Sequence, residues 1–523
     1  MRGSVVRSIG VVSVVAGLAS MAHARPAAKV PASVLATVER GPASARDGLI
    51  AYANAIKPGT GIALTDPVVS SLFARAVGLA TIDGLDAAQP EFLVWVDDGT
   101  VRGAAVVGAI ADDAVLSKEA AGLAIARDHG RAIVGAKPVV DQIGAWALAA
   151  LRQPEQGRPS ATIYVGNGLA RYRAELATLR SKLTVGSVFG GGASAGMQGA
   201  MAGLASTIFD GTLALAGDTE RVILTFDADP TVAGIDVALV PRAGSKLAKF
   251  VAAQGANDFA LIDKLPAGAG AVVAAGAFHA GPYRNAVGVA MAALYAGGDA
   301  SVMVAPTLEL MQATTGEFAA TTRMSAGGMQ NVQLMSIASP AAAARAHARL
   351  MTAIANPISM TVIGLKATLH ASAQPLVYDG LAIGSFETAI DQTTLTAVQK
   401  AAMSKTMPGG RAVTYMGLVD RLAITVSGSD GEAATRAVID SARGHAAALV
   451  LGADLQPLVD AARARRDSAI MILDMNLMRG IAAPPGTALP VLTMMMSAGF
   501  ADHRAHLRMT MPVATFRSAA GLP

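Results

Sequence analysis

Apolar and polar residues in this chain follow two spacings, which alternate from one segment to the next. The run from Arg102 to Ile110 is a mostly apolar segment of strand length, and the acidic pair Asp112 and Asp113 that follows it predicts a helix cap. The segment from Pro138 to Leu151 instead places Val139, Ile143 and Trp146 on one stripe at helical spacing, which would cover one face of a sheet. Short strands interleaved with amphipathic helices predict an α+β fold.

Turn residues indicate how neighbouring strands connect. The apolar runs from Glu91 to Val96 and from Arg102 to Ile110 are separated by Asp97, Asp98 and Gly99. Asp-Gly between two strand-like runs is typical of a β-hairpin. We therefore expect a sheet that is at least partly antiparallel rather than a parallel Rossmann-like sheet.

Comparing the chain with itself predicts an internal duplication. The segment from Phe73 to Ala80 resembles that from Tyr283 to Ala290, and each follows a Pro/Gly-rich segment at similar spacing. Further segments recur in the same order in the two halves. These pairs are 102–110 with 331–337, 131–134 with 421–426, 160–165 with 468–473, 222–225 with 491–493, and 236–241 with 508–512. The repeat predicts two tandem related units, each a partly antiparallel sheet covered by amphipathic helices.

The repeat also sets the expected boundaries. They are a signal peptide at 1–24, a linker at 25–44, a first unit at 45–257 and a second unit at 258–523. The first unit carries a Gly-rich insert at 186–217, and the second a strand-rich insert at 360–407. Within the second insert, Thr361 to His370 and Leu376 to Ile390 alternate like additional strands.

The amino-terminal segment predicts export. Arg2 and Arg7 precede a short apolar run from Ile9 to Leu18, and Ala22-His23-Ala24 forms an A-x-A cleavage signature. The apolar run is too short for a stable membrane anchor, so we expect cleavage before Arg25. The mature protein would be periplasmic or extracellular.

Composition narrows the classes of partner. The formal net charge of +4 falls to +2 once Arg2 and Arg7 leave with the leader, which does not suggest a nucleic-acid-binding protein. The 523 residues include no cysteine, so disulfides, thiolate metal sites and a lipidated amino-terminal cysteine are excluded. The longest uncharged stretch after the leader, 183–209, is too rich in Gly, Ser and Ala to predict a membrane span.

One motif suggests nucleophilic catalysis. Ser194 lies in a G-x-S-x-G sequence, and an acid such as Asp227 or Asp236 and a histidine such as His279 follow it in the chain. A glycine run precedes this motif, however, whereas a nucleophile elbow follows an apolar strand. The alternative is a hinge that enters a small-residue helix at 195–209.

Methionine and histidine near the carboxyl terminus suggest a metal. His503 and His506 lie near Met509 and Met511 in an exported chain, a combination that suits copper. Alternation in a strand would place Leu507 on the same face as the two methionines, which instead indicates core packing. We therefore predict no metal and no cofactor. Met471, beside Leu473, likewise fits packing in a helix or loop.

The leader, the duplicated layout and motifs such as Ala132-Ile133-Val134-Gly135 followed by Pro138 resemble exported Ala/Gly-rich proteins of unknown function from GC-rich bacteria. The resemblance covers most of the mature chain through its layout and carries no catalytic residues. It implies an extracytoplasmic location and a non-enzymatic protein.

These observations together favour an exported, non-enzymatic cell-envelope protein that acts by binding or scaffolding. Its partner would be an envelope protein or an apolar ligand. The alternatives are a serine hydrolase that uses Ser194, and a carrier of lipid, peptide or copper through the methionine-rich second unit.

Overall fold

The computed structural model describes residues 29–41, 47–152, 159–184, 209–268, 270, 272–278, 299–325, 328–362, 365–372, 374–395, 397–428, 430–453, 455–474 and 493–519. Helices and strands each account for 37% of the structure. The signal peptide, Ser194 and His279 lie outside the described residues, as does most of the Gly-rich insert.

The strands in the described part of the chain are short to medium in length. They are β1 Val34–Glu39, β2 Phe92–Asp97, β3 Arg102–Ala109, β4 Ala124–Asp128, β5 Arg131–Gly135, β6 Ser160–Ile163, β7 Thr219–Ala228, β8 Val232–Pro241, β9 Val272–Ala277, β10 Thr314–Ser325, β11 Gly328–Ile337, β12 Ile358–Val362, β13 Leu365–Ala371, β14 Leu376–Tyr378, β15 Leu381–Ile390, β16 Arg411–Val419, β17 Leu422–Gly428, β18 Ala469–Asp474, β19 Thr493–Gly499 and β20 Ala505–Pro512.

The α-helices fall between these strands. They are α1 Asp47–Ile56, α2 Asp66–Ala76, α3 Asp113–Glu119, α4 Lys137–Ala150, α5 Val165–Arg171, α6 Arg173–Thr184, α7 Lys246–Ala253, α8 Val304–Gln312, α9 Pro340–Ala353, α10 Ala397–Thr406, α11 Gly431–Arg443, α12 Gln456–Ala464 and α13 Val513–Ala519. Among the described residues, no helix combines the length and the hydropathy needed to cross a membrane.

The chain divides into two compact units. Unit 1 comprises Met1–Leu179, Asp210–Lys249 and Ala501–Pro523, and unit 2 comprises Arg180–Phe209 and Phe250–Phe500. In unit 1 the strand order is β4-β5-β3-β2-β1-β6-β7-β8-β20, with antiparallel neighbours throughout. In unit 2 the order is β12-β13-β15-β16-β17-β11-β10-β9-β18-β19, also antiparallel, and β14 pairs with β15.

The prediction of one partly antiparallel sheet for each of two tandem units is wrong. All 20 strands of the described chain belong to one large, mostly antiparallel hydrogen-bonded sheet. Hydrophobic alternation identifies a strand, but it does not identify the strand that pairs with its outer edge. The carboxyl-terminal strand β20 illustrates this, because it pairs with β8 of the first half of the chain.

Strand order nevertheless recurs inside this sheet. The order β4-β5-β3-β2-β1-β6-β7 in unit 1 has the same pattern as β16-β17-β11-β10-β9-β18-β19 in unit 2. Helices follow corresponding strands, since α3 follows β3 as α9 follows β11, and α4 follows β5 as α11 follows β17.

Helices cover both faces of the strands around β2. On one face Val139 and Ile143 of α4 pack with Phe92 and Val94, and on the other Phe73 of α2 packs with Leu93 and its neighbours. Because β2 is buried on both faces, its sequence is apolar throughout and does not alternate between apolar and polar residues. The helix predicted at 138–151 is confirmed by α4, which covers one face of these strands as expected, while α2 covers the other.

Three local predictions are confirmed. The hairpin across Asp97-Asp98-Gly99 joins β2 to β3. Asp112 caps α3, because its carboxylate accepts hydrogen bonds from the backbone N–H groups of Ala114 and Val115. Strands predicted in the second insert correspond to β13, β14 and β15.

One segment assigned to the linker lies instead inside the sheet. Residues 34–39 form β1, which pairs with β2 on one side and with β6 on the other. A six-residue strand has little local signal, and its stability comes from partners that are distant in the sequence.

Candidate functional site

A row of polar side chains crosses unit 1 on one face of its sheet. The strand registers place Glu39 opposite Ser160, Ser160 opposite Thr225, and Thr225 opposite Asp236. The neighbouring row on the same face begins with Thr37 opposite Thr162 and ends with Ala238 opposite His506. We call these side chains the polar stripe; its members are Thr37, Glu39, Ser160, Thr162, Thr225, Asp236, His506 and Arg508.

The polar stripe is buried. Apart from Arg508, every member exposes less than a tenth of its surface. The same sheet face is apolar at β2, where Phe92 lies opposite Glu39 and packs beneath α4. This face of the sheet is therefore apolar at β2, and from β1 onward it carries buried hydroxyl, carboxylate and imidazole groups. Buried polar groups in such numbers require hydrogen-bonding partners.

The centre of the stripe is a carboxylate shared by two basic side chains. Asp236 on β8 lies 2.9 Å from Nδ1 of His506 and 3.4 Å from Nε of Arg508, both on β20. The register places Arg508 directly opposite Asp236, and His506 one alternate position along the same strand. Antiparallel pairing thus brings three side chains together from two strands that are 270 residues apart along the chain.

The carboxylate fixes the imidazole. An ionised carboxylate only accepts hydrogen bonds, so Nδ1 of His506 carries the proton that it donates to Asp236. In the neutral imidazole Nε2 is then an acceptor, and this buried atom has no hydrogen-bond partner among the described residues. A buried polar atom without a partner costs about 1–3 kcal/mol, a cost that a donor from a ligand would offset.

The other candidate residues lie apart from this centre. Asp227 is exposed near the end of β7, and Asp236 pairs with His506. Ser194 and His279 lie outside the described residues. His503 is exposed in the turn before β20, with a left-handed φ of 57°.

The structure separates the groups of the proposed copper cluster. Along β20 His506 lies on the polar stripe, whereas alternation places Met509 and Met511 on the opposite face. Leu507 shares that face but is 41% exposed, so packing there is incomplete. Among the described residues, no group of three or more His, Asp or Glu side chains could hold a metal ion.

A second charged cluster fixes the end of β2. Asp97 is 1% exposed and accepts hydrogen bonds from Arg171 Nε at 2.6 Å, from Gly99 N at 2.9 Å and from Tyr172 Oη at 3.1 Å. Burial acts to raise the pKa of Asp97, but these hydrogen bonds outweigh it and hold the pKa below its ordinary value. The cluster joins the β2–β3 turn to the α5–α6 junction, so its function is structural.

Replacing Asp97 with asparagine should destabilise the protein by about 2 kcal/mol at pH 7, because a buried charged hydrogen-bond acceptor is lost. A pKa lowered by folding gives stability that is present above the unfolded value of about 4 and is lost as pH falls through the folded value. The difference in the free energy of unfolding between wild type and Asp97→Asn should therefore be smaller at pH 3 than at pH 7. Urea unfolding at both pH values measures it.

Asp141→Asn is the matched control, because Asp141 forms an exposed pair with Lys137 on α4. We expect that variant to change the free energy of unfolding by less than about 1 kcal/mol. If the stability difference between wild type and Asp97→Asn is the same at pH 7 and at pH 3, the electrostatic interpretation is contradicted.

A third charged group is fully enclosed. Arg40 and Glu91 are 0% and 1% exposed and lie 3.4 Å apart, from Arg40 Nε to Glu91 Oε2. Arg40 also donates hydrogen bonds to the hydroxyl of Ser70 on α2 and to the carbonyl of Ala87. This ion pair ties the end of β1 to the segment that enters β2.

Sequence reasoning did not find the polar stripe. Its signal is one or two polar residues at alternate positions in otherwise apolar strands, such as Thr162 in β6 and Asp236 in β8. Each alone is ordinary in a strand, and only the registers between strands show that they share a face. Comparison with known proteins adds no relative, since no family model, curated protein or solved structure matches this chain.

Proposed function

We propose that this is an exported cell-envelope protein that acts by binding, and that the polar stripe of unit 1 is its ligand contact. The observation that carries the proposal is Nε2 of His506, an acceptor held in place by Asp236 and buried without a partner. Export is supported by the leader sequence, and an internal duplication by the recurring strand order.

The chemistry of the stripe favours a ligand rich in hydroxyl groups. Two carboxylates and the imidazole Nε2 are acceptors, and the hydroxyls of Ser160, Thr162 and Thr225 both donate and accept. Arg508 neutralises Asp236, so the centre does not demand a cationic ligand. A polyol or sugar supplies several donors and acceptors at short intervals, which matches groups spaced one strand apart.

Binding fits the described groups better than catalysis. An imidazole oriented by a carboxylate also supplies two members of a hydrolytic triad, but the third member must be a nucleophile close to Nε2. No hydroxyl among the described residues donates to that atom. The described groups therefore support a ligand contact at Nε2 of His506 better than a catalytic triad.

A serine hydrolase is the second candidate function, because the Asp236–His506 pair has the orientation of a catalytic base. Hydrolysis of p-nitrophenyl acetate by the mature chain tests it. Loss of that activity in both Ser194→Ala and His506→Gln would favour the hydrolase over the binding protein. Activity that is absent, or unchanged in both variants, would exclude it.

Isothermal titration calorimetry of the mature chain with glucose, mannose, ribose and myo-inositol tests the binding proposal. We expect at least one of them to bind, and His506→Ala to weaken that binding by about tenfold or more, as the loss of one buried hydrogen bond implies. His503→Ala is the control, because it removes an exposed imidazole three residues away.

The outcomes separate two parts of the proposal. If none of the four compounds binds, the assignment of a hydroxyl-rich ligand is wrong. If one binds equally well to wild type and to His506→Ala, the ligand contact lies elsewhere. Equal weakening by His503→Ala and His506→Ala would indicate a general effect of histidine loss.

A further inference from the structure

Three methionine side chains meet on one face of the two strands at the end of unit 2's strand order. Met471 of β18 lies directly opposite Met496 of β19, and Met494 lies opposite Leu473, one alternate position along. Met471, Met494 and Met496 therefore point to the same side of the sheet. This placement corrects the interpretation of Met471 as part of a helix or loop.

The spacing suits a shared ligand. Residues directly opposite on antiparallel strands have Cα atoms about 4.5–5.5 Å apart, and alternate residues on one strand are about 7 Å apart. Methionine has three rotatable side-chain bonds, so thioether sulfurs that start from such positions can converge. The register therefore places three thioether side chains close enough to share one small ion.

The adjoining strand positions leave the thioethers accessible. Each of the three methionines is half-buried, and the neighbour of Met471 on β9 is Ala274, whose side chain is a single methyl group. Met495 lies between two of them in sequence but points to the opposite face, where it is 1% exposed opposite Ile472. One strand thus carries both a core methionine and two accessible ones.

We propose that Met471, Met494 and Met496 bind one Cu(I) ion through their thioether sulfurs. Thioether is a soft, neutral ligand that selects Cu(I) over hard divalent cations. The chain contains no cysteine, so methionine is its only source of sulfur ligands. The proposed ligands belong to unit 2 and include none of the polar-stripe residues.

Titration of the mature chain with Cu(I) under anaerobic conditions, against a chromogenic Cu(I) chelator, tests the site. We expect wild type to take up one equivalent. The triple variant Met471→Leu, Met494→Leu, Met496→Leu should lose it, and Met494→Leu alone should weaken it at least tenfold. Met495→Leu is the control, because it makes the same substitution in the same strand on the opposite face.

Exchange of methionine for leucine nearly conserves side-chain volume and lowers the free energy of unfolding by less than about 1.5 kcal/mol at a buried position. These variants should therefore fold. Circular dichroism verifies folding, and ¹³C-methyl NMR gives a second readout in which three methionine methyl signals should shift with Cu(I). Uptake that is absent in wild type, or retained in the triple variant, would overturn the proposal. An equal loss in Met495→Leu would overturn it too.

Discussion

Replacing Arg40 with methionine should lower the free energy of unfolding by about 3–5 kcal/mol, because the carboxylate of Glu91 then stays buried without its cation. Arg40 is fully enclosed and also holds Ser70 and the carbonyl of Ala87. Its loss therefore leaves several buried acceptors unsatisfied, and equilibrium urea unfolding at pH 7 measures the effect.

Two further variants show whether the buried ion pair causes the loss of stability. Lys137→Met breaks an exposed pair with Asp141 and should change stability by less than about 1 kcal/mol. The double variant Arg40→Met, Glu91→Met removes both buried charges, and we expect it to be more stable than Arg40→Met alone. If Arg40→Met and Lys137→Met have equal effects, the ion pair does not hold β1 to the entry of β2.

Replacing Gly84 with alanine should destabilise the fold by about 2–4 kcal/mol, through a clash that the backbone cannot avoid. A Cβ at this position would lie 2.4 Å from both N and Cα of Leu116 in α3. Leu116 is itself fully buried, and the carboxylate of Glu119 accepts a hydrogen bond from Gly84 N, so neither segment is free to move. Thermal and urea unfolding measure the loss.

Gly168→Ala is the matched control. Gly168 lies inside α5, and beyond the local helix backbone no atom of the described residues lies within 4 Å of where its Cβ would be. Alanine is favoured over glycine inside a helix by up to about 1 kcal/mol, so this variant should be as stable as wild type or more stable. Similar destabilisation by both substitutions would show that close packing against α3 is not the cause.

Prediction from sequence succeeded where the determinants are local. The Asp97-Asp98-Gly99 turn and the Asp112 cap act within a few residues, and the apolar stripe of α4 is read from one segment. Each of these features depends on the backbone conformations of adjacent residues. The sequence therefore contains the information at the place where the feature forms.

Prediction failed where strands pair across long distances. β1 was assigned to a linker because its two partners lie far along the chain, and the single continuous sheet could not be inferred from periodicity. The candidate site was missed for the same reason, because its residues come together only through long-range strand pairing. His506 was considered with its sequence neighbours Met509 and Met511, whereas its partner Asp236 lies 270 residues away.

The pairing of β8 with β20 also determines the order in which this protein can be completed. The chain emerges from its amino terminus, so β8 has an open edge until the last strand has been made. Closing a loop of about 270 residues is slow, because its entropy is lost before the pairing contacts form. The sheet of unit 1 therefore cannot be completed until β20 has been made, and until then the carboxylate of Asp236 lacks its imidazole partner.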